Sequence, residues 1–332
     1  MTKFLIAGLG SIGRRHLCNL IALGEDDIVL LRSHRSTLPE EELAGFIVET
    51  DLSEALRKHR PAAVIVANPT ALHLDTAIPA AEAGCSILLE KPVSSSLDRL
   101  DLLQSAVSCT GAKVLVGFQL RFHPCLTRAR QLISGGRLGR LLSAHVYFSE
   151  YLPAWHPWED YRQGYAARAD LGGGVLLTQC HSLDYLPWLM GKVESVWGFL
   201  AKLSDLDLDV EDTAEIGVRF AEGSVGSLHI DYAQQPPSHR VEISGTQGGL
   251  VCDLHAGTTR LYDVARKEWE EYGLPPSWER NVMFLEEMKH FLAVVKGDTD
   301  PACTLHDGIR VMQIISAVQV SNSSGRTVSL KS

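Results

Sequence analysis

The sequence predicts a two-domain α/β chain. A parallel sheet spans residues 1–121, and an α+β domain with a large, mostly antiparallel open sheet spans residues 122–332. Short, wholly apolar runs alternate with helix-like segments through the first third, the order that a parallel sheet covered on both faces requires. A glycine-rich turn lies between the first of those runs and the first helix. After Phe122 the apolar runs give way to period-two alternation broken by Gly, Asp and Asn, the mark of antiparallel strands.

Residues 4–7 are a buried strand, residues 12–23 a helix ended near Gly24, and residues 28–31 a second strand. A third strand at 46–48 leads to a helix at 52–58 capped by Asp51, whose side chain can accept from a first-turn amide. Strands at 63–67, 86–89 and 114–116, with helices at 73–83 and 98–108 between them, complete the sheet. In the second domain a helix at 125–133 ends at Gly135 and Gly136. Strands are expected there at 142–148, 193–203, 213–220, 224–232 and 239–244. Helices at 282–295 and 306–321 precede a short strand at 327–330.

Composition narrows the function. With 45% hydrophobic and 21% charged residues, 332 residues bury a core without staples. The net charge of −9 gives no basic footprint, so neither nucleic acid nor an anionic membrane is an expected partner. Seven scattered cysteines, an odd number with no C-x-x-C pair, predict neither a disulfide frame nor a metal site. No apolar run reaches the roughly 18 residues of a membrane span, and Met1-Thr2-Lys3 opens no signal peptide, so the cytoplasm is the expected compartment.

Gly8, Gly10 and Gly13 form G-x-G-x-x-G, with Ser11 and Ile12 opening the helix. The first glycine permits the turn, the second lets backbone approach a pyrophosphate, and the third lets helix and strand pack closely. An ordinary glycine turn is the alternative, but strand-turn-helix context favours a Rossmann-type dinucleotide site. Past the second strand, where a carboxylate usually holds a ribose hydroxyl, stand Arg32, Ser33, His34 and Arg35. Arginines suit a 2′-phosphate, so NADP is expected over NAD, unless these side chains merely face solvent.

The glycine turn, Asn68-Pro69-Thr70 with His73, Glu90-Lys91-Pro92, and Gly172-Gly173-Gly174 with His181 resemble the glucose–fructose oxidoreductase / inositol dehydrogenase (Gfo/Idh/MocA) family. The resemblance spans essentially the whole chain. It implies a C-terminal open sheet that joins homodimers or homotetramers, and sugar-like substrates oxidised or reduced at one carbinol carbon. It also implies that Asn68, Pro69, His73, Glu90 and Gln119 line the cofactor, and that Lys91 touches the reacting oxygen. The family's aspartate one turn before the histidine is missing, since Leu177 and Thr178 stand there.

Lys91 also draws attention by position, one residue past an apolar strand at the carboxyl end of a parallel sheet. Burial and a cationic nicotinamide lower a lysine's pKa toward a useful range, whereas a surface lysine capping a strand does nothing. His181 lies on an apolar helix where histidines are commonly core residues. The resemblance turns it toward substrate, and without a nearby anion it stays mostly neutral at neutral pH. Residues 155–165 mix aromatic and polar groups, as a sugar pocket or a packed loop does, which makes Tyr161 and Tyr165, with Thr178, candidate substrate contacts.

The residues thus predict an NAD(P)-dependent oxidoreductase acting on a sugar, cyclitol or nucleotide-sugar-like alcohol or ketone. Two alternatives remain open: an enzyme that keeps its cofactor and uses transient oxidation for bond cleavage, and a dinucleotide-sensing protein without turnover.

Overall fold

The computed structural model describes residues 2–32 and 43–330. Two compact units divide the chain, one of residues 1–119, 170–172 and 280–312, the other of residues 120–169, 173–279 and 313–332. Residues 280–312 therefore cluster with the first unit, whereas the sequence reading assigns all of 122–332 to the second domain.

The first unit is built on six strands: β1 (Phe4–Ala7), β2 (Ile28–Leu31), β3 (Ile47–Glu49), β4 (Ala63–Val66), β5 (Ser86–Glu90) and β6 (Val114–Gly117). They are all parallel, in the order β3-β2-β1-β4-β5-β6. Every residue of β1 and β4 is essentially inaccessible, which is why these runs carry no polar alternation. Helices α1 (Ser11–Ala22), α2 (Leu52–His59), α3 (His73–Glu82) and α4 (Leu100–Thr110) are the crossovers. Asp51 caps α2 as predicted, its carboxylate accepting from the Glu54 amide at 2.7 Å. The chain winds outward from β1 to β3 and then returns to β4 beside β1. The carboxyl ends of β1 and β4 thus flank the point where the winding reverses, the place where open α/β sheets bind ligands.

The second unit begins with α5 (Pro124–Ser134) and β7 (Leu141–Ser149), followed by short 3-10 turns and then α6 (Val175–Thr178) and α7 (His181–Met190). Its sheet continues through β8 (Val193–Ala201), β9 (Thr213–Phe220), β10 (Val225–Asp231), β11 (Ser238–Gly245), β12 (Gly248–Asp253), β13 (Thr258–Asp263) and β14 (Glu268–Gly273). After α8 (Arg280–Lys296) and α9 (Leu305–Ser324), β15 (Val328–Ser329) completes nine strands in the order β14-β13-β12-β11-β7-β10-β9-β8-β15. All neighbours are antiparallel except β7 and β10.

Two features depart from the sequence reading. Strands β12 to β14 were not expected, because paired glycines and the charges of β14 (Glu268, Glu270, Glu271) hide their alternation. The single helix expected around His181 is two helices, interrupted at Gln179 and Cys180.

One face of the nine-stranded sheet buries Val146 and Phe148 of β7, Ile216 and Val218 of β9, and Val241 and Ile243 of β11, with α5, α6 and α7 packed on the sheet. On the opposite face Tyr147 of β7, Trp197 and Phe199 of β8 and Trp269 of β14 are 39%, 38%, 57% and 49% exposed. Among the described residues no helix is long and apolar enough to cross a membrane.

Candidate active site

The glycines of the first unit have three separable jobs. Gly8 takes φ +94°, in the left-handed region, and a β-carbon there would strike the backbone of Ala67 and Asn68. A β-carbon on Gly13 would overlap the Gly8 carbonyl, so this glycine serves helix–strand packing. Gly10 is different, since nothing lies within 4 Å of the place its β-carbon would occupy. Directly after this open backbone α1 begins at Ser11 and Ile12, with no side-chain cap and no acidic residue in its first turn. Uncapped first-turn amides and open backbone fit a pyrophosphate, so the residues present suit a nicotinamide dinucleotide. Arg32 follows β2 with its side chain buried, and its amide donates to the Glu49 carbonyl at 3.1 Å. Ser33 and Arg35 lie outside the described residues.

Asn68, Pro69 and His73 shape the loop after β4. The Asn68 amide donates to the Leu72 carbonyl at 3.2 Å and to Thr76 Oγ1 at 3.0 Å. His73 is buried, with Nδ1 2.8 Å from the Pro92 carbonyl and Nε2 3.0 Å from the Asn68 carbonyl. Burial lowers its pKa. Each ring nitrogen faces a backbone carbonyl, and the neutral ring donates its single N–H to one of them, so His73 sits between the β4 and β5 loops.

Glu90, the last residue of β5, is also buried, with Oε1 2.7 Å from Nε2 of the fully buried His16. Burial opposes its charge, but the His16 bond prevails and holds Glu90 below the usual carboxylate range. A β-carbon on Gly117 would come within 3.2 Å of this carboxylate, so the glycine ending β6 leaves it room. Lys91 is half-buried and follows at the carboxyl edge, its amide 3.3 Å from Glu90 Oε2. Gln119 opens a 3-10 turn just past β6 and is buried. The structure therefore gathers the glycine turn, Asn68, Glu90 and Lys91 on the carboxyl edge of β1, β4 and β5.

In the second unit, Gly173 and Gly174 let backbone and side chains of the protein itself approach. A β-carbon on Gly173 would overlap the Tyr165 carbonyl, and one on Gly174, at φ +103°, would overlap the Glu211 carboxylate. That carboxylate accepts from the Leu176 amide at 3.1 Å, and burial raises its pKa. Thr178 ends α6, buried beside Tyr232, and His181 opens α7, its ring centroid 6.4 Å from that of Phe148. Phe148 stacks in turn on His239 at 3.9 Å, and His239 Nε2 lies 3.0 Å from the Tyr185 hydroxyl. Burial keeps His239 well below its ordinary pKa, so this support for His181 is uncharged. Tyr161 accepts the Asp207 amide at 3.0 Å through its hydroxyl, and Tyr165 is half-buried in a neighbouring 3-10 turn.

Sequence reasoning missed the buried pair of Arg121 with Asp184, the half-buried Glu211 and the buried Glu287. Asp184 follows His181 by three residues, one helical turn, and that spacing was the available signal for the pair. Nothing in the local sequence marks the other two.

The residues of the first sheet match a family model described as the oxidoreductase family, NAD-binding Rossmann fold, over residues 2–118. Residues 126–251 match the GFO/IDH/MocA C-terminal domain. The chain belongs to the Gfo/Idh/MocA family. This Gfo/Idh/MocA chain is therefore an NAD-binding oxidoreductase. It is 26% identical to myo-inositol 2-dehydrogenase of Thermotoga maritima, over 98% of each chain. It is 29% identical to 2,7-anhydro-N-acetylneuraminate hydratase of Mediterraneibacter gnavus, over 62% of this chain and 55% of the relative. Levoglucosan dehydrogenase, solved with NADH and levoglucosan, shares the fold over 100% of both chains with a TM-score of 0.86 at 21% identity.

Proposed function

We propose that this Gfo/Idh/MocA enzyme moves a hydride between a nicotinamide and one carbinol carbon of a sugar, cyclitol or nucleotide-sugar-like substrate, in the cytoplasm. One observation carries the reading. The open Gly10 backbone and uncapped start of α1 share one sheet edge with the half-buried Lys91, two strands along. The names of the myo-inositol and levoglucosan relatives support a polyhydroxy substrate.

Oxidising a carbinol releases a hydride and a proton. The nicotinamide, when bound, accepts the hydride at C4. Lys91 takes the hydroxyl proton and returns it to the developing alkoxide in the reverse direction. His181 is the second proton carrier, and Thr178, Tyr161 and Tyr165 hold substrate hydroxyls. The Gly8–Gly13 turn with Ser11 and Ile12 cradles the pyrophosphate, while Asn68, Pro69, Glu90 and Gln119 line the remainder. His73 acts on that lining through the two carbonyls beside its ring. Arg32, Ser33 and Arg35 favour NADP over NAD. The exposed sheet face carrying Tyr147, Trp197 and Phe199 supports assembly as a homodimer or homotetramer.

With the substrate in hand, Lys91→Ala should lower kcat by about 10²–10⁴-fold and leave cofactor affinity nearly unchanged, with His181→Ala less severe. Near-normal kcat in Lys91→Ala across the neutral range would overturn the assignment. A second reading rests on the hydratase relative: the enzyme retains its cofactor and oxidises transiently during bond cleavage. It requires product to form with no net change in reduced nicotinamide, which absorbance of the reduced ring measures directly.

A further inference from the structure

We propose that the buried cluster of His16, Glu90 and Glu287 is a proton store linked to the charge of the nicotinamide. Glu287 holds a proton while the cofactor is absent or reduced and gives it up when the oxidised, cationic ring is bound. This rests on the reading above that the ring binds on the sheet edge carrying Lys91.

Helix α8 packs against α1, β5 and β6 and buries Glu287 to 1% exposure. Neither carboxyl oxygen of Glu287 has a hydrogen-bond partner among the described residues. A carboxylate with no donor, removed from water, is strongly disfavoured, so the group is protonated in the free protein. Burial raises its pKa well above the usual carboxylate value, and the neighbouring Glu90 charge adds to that. On the other side of Glu90, His16 is fully buried with Nε2 2.7 Å from Glu90, and its Nδ1 has no partner among the described residues. Glu287 and the His16–Glu90 pair therefore share one dry region beneath the sheet edge, with Glu90 acting on both.

The charge acting on Glu287 is that of Glu90 on β5, which in turn is held by His16 of α1. His73 on α3 acts on Glu90. On α1, Arg14 Nε donates to the Leu9 carbonyl at 3.3 Å and Arg15 donates to Asn281 at 2.9 Å. β6 contributes only Val114, Leu115, Val116 and Gly117.

The charges then balance through the reaction. With the cationic ring bound, Glu90 and Glu287 are both carboxylates. With the cofactor in place, hydride transfer from the carbinol carbon would neutralise the ring, and the hydroxyl proton, taken first by Lys91, would restore the proton of Glu287. Substrate loses one hydride and one proton, the cofactor gains the hydride, and the cluster gains the proton. The total charge of ring, lysine and cluster is unchanged, which matters because uncompensated charge in a low-dielectric interior is costly.

Calorimetric binding of NAD+ or NADP+, repeated in buffers of different protonation enthalpy, tests this without turnover. The oxidised form should release close to one proton per site and bind about tenfold tighter per pH unit wherever Glu287 is protonated in the free protein. NADH or NADPH should release none. Glu287→Gln should abolish the release and the pH slope, and Lys91→Ala should keep both. No proton release by the unmodified protein overturns the proposal, whether or not the variant folds. So does release that is lost in Lys91→Ala and kept in Glu287→Gln. Failure of the Lys91 assignment instead appears as undiminished kcat in Lys91→Ala, with proton release intact.

Discussion

Arg121 and Asp184 are joined by two parallel hydrogen bonds, Nε to Oδ2 at 2.9 Å and Nη2 to Oδ1 at 2.6 Å, with side chains 8% and 3% exposed. This fork fastens the first turn of α7, one turn from His181, to the 3-10 turn at Gln119–Phe122. Removing one member takes from the other its bidentate partner in a buried setting, a cost of up to about 3–5 kcal/mol. Asp184→Ala should therefore lower the denaturant midpoint by that equivalent, and Arg121→Lys by a smaller amount because one prong is lost. Asp184→Ala within about 1 kcal/mol of the unmodified protein would show that the pair is dispensable.

Gly10 and Gly13 should fail in different ways. Gly10→Ala adds a methyl group to open space, so folding survives while dinucleotide affinity falls. Gly13→Ala drives a methyl group into the Gly8 carbonyl and should lower stability as well. Thermal unfolding alongside cofactor titration separates the two. Equal stability losses would mean that Gly10 is structural.

The parallel sheet was legible because its inner strands are solid apolar runs, as at Phe4–Ala7, and because α2 carries its own cap at Asp51. Antiparallel β12 to β14 were not, since β14 is an edge strand whose residues are mostly exposed and charged. Lys91 was legible from its place one residue past β5. The buried partners of such residues were not. Glu287 meets Glu90 only because α8 returns across nearly 200 residues of chain, and no local pattern encodes that. His73 shows a different kind of gap: its motif pointed to the cofactor, and the backbone carbonyls of Asn68 and Pro92 beside its ring were not legible.

Cofactor choice should depend on Arg32, Ser33 and Arg35. A charge-assisted arginine–phosphate contact contributes about 1.5–3 kcal/mol, or roughly ten- to a hundredfold in affinity. Fluorescence titration should show Arg32→Ala weakening NADPH far more than NADH. Equal affinity of the unmodified protein for both would refute the preference.

Asp212 gives the second unit an acid-sensitive anchor. Fully buried, it accepts the Leu203 amide at 2.8 Å, the Ser204 amide at 2.9 Å and the Thr213 hydroxyl at 3.0 Å. Burial opposes the charge, but these donors prevail and hold its pKa below the usual aspartate value. A lowered folded-state pKa contributes stability that is complete above the unfolded value of about 4 and lost as pH falls through the folded one. Asp212→Asn should cost about 2–3 kcal/mol at neutral pH and progressively less toward pH 3. Urea unfolding at both pH values checks this, and a pH-independent difference would contradict it.

The last prediction concerns assembly. Across β7, β10, β9 and β8 the residues in register are Tyr147, His229, Glu215 and Phe199, and they lie on the face opposite the buried Val146 and Phe148. His229 stacks on Tyr147 at 4.6 Å between centroids and bonds both Glu215 at 2.6 Å and Asp231 at 2.8 Å. The bond to Asp231 chiefly raises the His229 pKa. In the next row Trp197 packs edge-on against Phe199 at 4.6 Å. Aromatic groups flanking a polar cluster on an open sheet face are the composition of an interface rather than of a hydrated surface. A closed pair would bring this face against its own copy about a two-fold axis. Light scattering at micromolar concentration should report at least twice the chain mass, and Phe199→Lys with Trp197→Glu should shift it to the monomer while circular dichroism stays unchanged. A monomer from the unmodified chain would remove this face from any role in assembly.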